Sequence, residues 1–175
     1  MSATTPETLL EEALELWRFT REGVISEVES IPADRFDFRP ADGARTLAGI
    51  VHHIVEAGVM GFTELTRPDG DFQRLPPEKF FEEHAANVPA AATKDELLAL
   101  LRSTHAQGER LFRETGEVGM LQRIRRFDGE TSTRLAWFWH LIDHESYHRG
   151  QVAMYARQIG LIPALTRLIH GDDAA

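Results

Sequence analysis

The 175-residue chain contains no cysteine. That absence excludes disulfides, thiolate metal sites and a cysteine nucleophile, so any sulfur chemistry has to borrow its sulfur from another molecule. It also agrees with a reducing, cytoplasmic setting. Positive charge is short: 19 Lys and Arg face 28 Asp and Glu, for a formal net charge of −9 and a pI near 5.3. Nonspecific nucleic-acid binding relies on Lys and Arg neutralising phosphates, so no nucleic-acid partner is expected. Long apolar runs are missing too. No stretch reaches membrane-spanning length, and none near the N-terminus resembles a signal peptide, so no membrane partner is expected.

What remains is an ordinary globular composition, 42% hydrophobic and 27% charged. The length suits one domain over residues 1–175 with a full core. Thr5-Pro6-Glu7 has the form of a helix start. Leu10, Leu14, Trp17, Val24, Val28 and Ile31 then make an apolar stripe that Arg21 interrupts and Pro32 ends. A connector over 33–45 carries Phe36 and Phe38, expected to pack on the core. A second helix is predicted from Thr46 to about Thr66, apolar around much of its circumference and holding His52 and His53. Residues 67–92 read as a long crossover, with a short helical piece over 79–84. Thr93 and Glu96 fit a capping box opening a third helix that runs to about Thr115. Arg123, Arg125 and Arg126 read as a solvated loop and Asp128-Gly129 as a turn. The fourth helix is predicted to start at Thr131 or Ser132 and to end near Gly160, with a short terminal turn carrying Leu165, Leu168 and Ile169. The fold class is all-α: a four-helix bundle with a long crossover connection.

Chemistry concentrates on the fourth helix. His144 and His148 lie four residues apart, on one helical face, with Trp137, Leu141, Val152 and Tyr155 on or beside it. Two imidazoles on an apolar face need a partner, and a metal ion satisfies both. His144 to His148 also spell the His-Glu-x-x-His pattern of zinc proteases. No glutamate follows Glu145 to serve as a third ligand, and the extended motif fails because Gln151 and Met154 stand where Gly and His belong. Glu145 points about 100° away from His144, which leaves it at most a supporting contact. The Glu-x-x-His spacing of di-iron bundles has no second copy here. His140 is too far along the helix axis to share a metal with His148. A third ligand therefore comes from upstream: His53, His52 or His105. His84, His140 and His170 read as surface or satisfied core histidines, and Trp137 and Trp139 as core. Three imidazoles plus an open position suit zinc, nickel or iron(II).

The run His144-Glu-x-x-His148-Arg-Gly-Gln151, between Phe127-Asp-Gly-Glu130 and Tyr155-x-Arg-x-x-Gly160, closely resembles the last helix of the DinB-like (DinB/YfiT) superfamily. Thr46-Leu-Ala-Gly-Ile-Val-His-His53 resembles that family's second helix. The resemblance covers essentially the whole chain. It implies a four-helix bundle, often a homodimer, with one divalent metal held by His53, His144 and His148. It further implies a metal-dependent enzyme on a small-molecule substrate, a thiol S-transferase using a low-molecular-weight thiol cosubstrate or a hydrolase. The alternative from another class is a metal-binding or dimerisation module without turnover. No residue beyond the metal ligands is singled out as catalytic.

Overall fold

Four threonines start the four long helices. In the computed structural model, which describes residues 8–171, Thr8, Thr46, Thr93 and Thr133 each accept a hydrogen bond from a backbone amide three residues on. Each cap satisfies a donor that has no partner inside its helix. The helices they open are α1 (Leu9–Ser30), α2 (Leu47–Leu65), α4 (Lys94–Met120) and α5 (Arg134–Gln158). The expected start at Thr5-Pro6-Glu7 lies outside the described residues. Two short helices, α3 (Pro77–Ala85) and α6 (Ala164–His170), fill the long connection and close the chain.

The α1 helix packs chiefly on α4 and α5, and α2 packs on the same two helices, so α1 and α2 stand diagonally across the bundle. The long connection after α2 returns the chain to α4 against that same helix. Trp17 is fully buried at the centre, edge-on to Phe112 and Phe138. Gly108 lets α4 approach closely there. A Cβ at that position would stand 2.5 Å from the Trp17 ring and 2.8 Å from Phe62. Phe36 is buried in the core, as its connector position suggests. Glu27, 1% exposed, accepts hydrogen bonds from the Ala164 and Leu165 amides and so caps α6 from α1.

Several expectations change. The α4 helix runs past Thr115 to Met120, kinking at Gly116, whose φ of 70° only glycine adopts readily. The arginine cluster is not a free loop. Arg123–Arg125 form β1, paired antiparallel with β2 (Thr131–Thr133) around the Asp128-Gly129 turn. Thr131 and Ser132 belong to that ladder, so the cap of α5 passes to Thr133. β1 alternates, with Ile124 buried between two exposed arginines, but three residues are too few to tell that pattern from chance. The short helical piece expected over 79–84 extends to Pro77–Ala85. Trp139 is 43% exposed rather than core. No helix among the described residues is long and apolar enough to cross a membrane.

Candidate metal centre

Arg21, the apparent flaw in the α1 stripe, is 1% exposed and paired with Glu145. The guanidinium donates to the two carboxylate oxygens at 2.5 and 2.9 Å and to the Leu101 carbonyl at 2.8 Å. The indole Nε1 of Trp17 donates to the same carboxylate at 2.9 Å. Glu145 is thus committed to a buried ion pair between α5 and α1. It supports neither histidine, and the protease reading loses its base.

The roughly 100° between adjacent helical residues that turns Glu145 toward α1 turns His144 the other way, toward α2. One helical turn on, His148 stands above it, with the two Nε2 atoms 3.1 Å apart. His53 on α2 completes the group. Its ring lies 4.7 Å from that of His148 and 5.2 Å from that of His144, and one ligand nitrogen from each of the three lies within 4.8 Å of the others. Two metal–nitrogen bonds of about 2.1 Å at a tetrahedral angle put their nitrogens about 3.4 Å apart, so the spacing fits a single ion. Gln151 Oε1 lies 2.8 Å from His148 Nδ1. A proton on that Nδ1 donates to Gln151 and leaves the Nε2 lone pair facing His144. The sequence reading gave Glu145 the supporting contact that Gln151 makes.

His53 and His144 resist protons. Burial, then the charges of Arg45, His148 and His144, lowers the His53 pKa to about 4. Burial, then His148 and His140, lowers His144 to about 4. Neutral imidazole is the form that ligates a metal.

The other histidines stay out of this group. His52 turns to Glu56, 3.2 Å away on the helix surface. His105 packs at a tilt against Trp17, 4.4 Å between ring centres, and faces Arg18 and Arg21 in a separate cleft, which removes it from the ligand candidates. His140 packs beside Trp137 at 4.5 Å, and His170 is exposed. His84 is 2% exposed and meets the Glu64 carboxylate at 2.8 Å. Burial alone would raise the pKa of Glu64, but hydrogen bonds from His84 and Arg74 outweigh it and hold the carboxyl below its ordinary value. Glu64, Glu83 and His84 are also grouped closely enough to suggest a cation site. The Arg74 guanidinium already bridges the two carboxylates there, at 2.6 and 2.7 Å.

Two of the three grouped histidines, His53 and His144, line a cavity of about 500 Å³ together with Arg45, Glu56, Met60, Phe81 and His84. A smaller recess of about 100 Å³, walled by Phe72, Phe127 and Trp137, shares His144 with it.

The family model described as DinB family matches residues 1–172. The chain belongs to the DinB family. Among solved structures, this DinB-family chain is similar to YfiT from Bacillus subtilis, described as a probable metal-dependent hydrolase with an unusual four-helix bundle topology. The TM-score is 0.69 at 17% identity, over 92% of this chain and 93% of that one. A DinB-like protein from Bacillus subtilis aligns with a TM-score of 0.66 at 17% identity, over 85% and 92%. A mycothiol-dependent maleylpyruvate isomerase aligns with a TM-score of 0.59 at 17% identity, over 87% of this chain and 61% of that one. At these identities the likeness establishes the four-helix-bundle fold. No curated protein matches the chain.

Proposed function

We propose that the chain is a metal-dependent enzyme acting on a small molecule, of thiol S-transferase or hydrolase type, with His53, His144 and His148 as the ligands of one divalent ion. The observation that carries this reading is the convergence of three imidazoles from two facing helices, two of which, His53 and His144, line a cavity of about 500 Å³. Three nitrogens leave coordination positions open to solvent or substrate, the arrangement of catalytic rather than structural sites. Zinc, nickel and iron(II) all accept this donor set. When bound, such an ion lowers the pKa of a coordinated water or thiol and so supplies a nucleophile at neutral pH.

The chain's own residues do the rest. Gln151 orients His148. Met60 and Phe81 make much of the wall apolar, which excludes water and accepts the body of a substrate. The absence of cysteine means that a thiol nucleophile has to enter as a cosubstrate. Among the structural neighbours, one is described as a probable hydrolase and one as a mycothiol-dependent isomerase, which supports both branches of the reading. Homodimer formation belongs to the same proposal and is checked by light scattering.

The deciding experiment loads the protein with zinc, nickel or iron(II). It then screens low-molecular-weight thiols with electrophiles, alongside panels of esters, amides and lactones. Turnover that disappears in His148→Ala supports the proposal. Silence in both screens with metal bound leaves a metal-binding module and refutes the enzyme reading.

A further inference from the structure

Resting on the metal-dependent reading above, the cavity's charges narrow the class of molecule it takes. Among the described residues, Arg45 is the only Lys or Arg in its lining. Arginines such as Arg18, Arg74 and Arg113 meet carboxylates. Among the described residues no carboxylate comes within ion-pair distance of Arg45. Glu56, the cavity's other charged side chain, lies against His52 at 3.2 Å.

Arg45 is also well anchored. It immediately precedes Thr46, the cap of α2, and its carbonyl accepts a hydrogen bond from the Tyr155 hydroxyl of α5 at 3.1 Å. The base of its side chain is thus tied to the two helices that carry the three histidines. Its charge is among the influences that, after burial, keep His53 and His144 neutral. The cavity then offers a pole at His53 and His144, one guanidinium without a carboxylate partner among the described residues, and an apolar wall at Ala57, Met60 and Phe81. A guanidinium pairs best with a planar oxyanion in a two-pronged contact. A single cation in a chain of net charge −9 matches a monoanion rather than a polyphosphate.

We propose that Arg45 is a specificity-determining residue, pairing with the carboxylate of a small substrate or thiol cosubstrate whose reactive end reaches the histidine pole. The test uses protein loaded with cobalt(II), whose thiolate absorption in the near ultraviolet reports binding without turnover. It is titrated with 3-mercaptopropionate and with 2-mercaptoethanol, in the parent and in Arg45→Gln. The quantity read is the parent's preference for the acid divided by that of the variant, which cancels the different acidities of the two thiols. A charge-assisted contact at an exposed site makes this ratio about tenfold, and any effect of the lost charge on the histidine pole falls on both thiols and cancels in it. Arg45→Lys keeps part of the preference. A ratio of one overturns the proposal. If cobalt or both thiols fail to bind, the metal reading has failed, and Arg45 is judged by itself on metal-free protein. There, 3-phenylpropionate but not 3-phenylpropanol should shift the Arg45 Nε–H resonance, and no shift would overturn the proposal.

Discussion

Replacing Glu145 by alanine should destabilise the protein rather than merely silence it. Among the described residues the carboxylate, 1% exposed, is the only counter-ion of Arg21, whose side chain is also 1% exposed. Without it the guanidinium keeps only the Leu101 carbonyl and, at 3.4 Å, the Thr104 hydroxyl. The Trp17 indole loses its acceptor as well. Orphaning one member of a buried ion pair costs about 3–5 kcal/mol, a large share of the total stability of a typical domain. For a chain of this size that corresponds to a drop of about 10 °C in Tm. Urea and thermal unfolding of metal-free protein, followed by circular dichroism and tryptophan fluorescence, measures it. The double variant Arg21→Met/Glu145→Leu removes both charges together and should recover most of the loss, because no ion is left unpaired. The reasoning is refuted if Glu145→Ala melts like the parent and binds metal like the parent but loses turnover. That pattern would return Glu145 to the role of a protease-type base.

Gly108→Ala forces a methyl into the Trp17 and Phe62 rings and should cost about 1–3 kcal/mol in urea unfolding; a neutral result would mean the rings move aside freely. Gln151→Ala frees the His148 ring and should weaken zinc binding about 10-fold or more in chelator competition, with little change in metal-free stability. Burial, then the charge of Arg21, lowers His105 to about 4. The unfolded chain takes up this proton near pH 6.5 and the folded chain does not, so stability present above pH 6.5 is lost as pH falls toward 4. Urea midpoints across that window should fall less steeply in His105→Gln than in the parent, and equal slopes would contradict the assignment.

The helices were legible because local chemistry spells them. The capping box at Thr93 and Glu96 forms as written, and the cap at Thr46 opens α2 where expected. The pairing of His144 with His148 follows from helical spacing alone. Choosing His53 over His52 required the family's second-helix pattern, since either neighbour could face inward until the rotation of α2 is known. Arg21 carried a signal that was read only as an interruption. An arginine in an apolar stripe needs a buried acid, and Glu145 was free because its 100° offset turned it out of the histidine face. Gln151 sat three residues beyond His148 in the same motif, within reach of the ring, and was passed over. The hairpin and the Glu64–Arg74–His84 network were not legible, because three-residue strands are too short for their alternation to stand out and the network joins α2 to a connection whose path no local pattern sets.

The central claim is that His53, His144 and His148 hold one metal ion. Elemental analysis of the purified, untagged parent beside His53→Ala, His148→Ala and His52→Ala tests it most directly. About one equivalent of zinc, nickel or iron is expected in the parent and in His52→Ala, and its loss in the other two variants. A parent that takes up little metal even after reconstitution, or a His53→Ala protein that keeps it, would contradict the account.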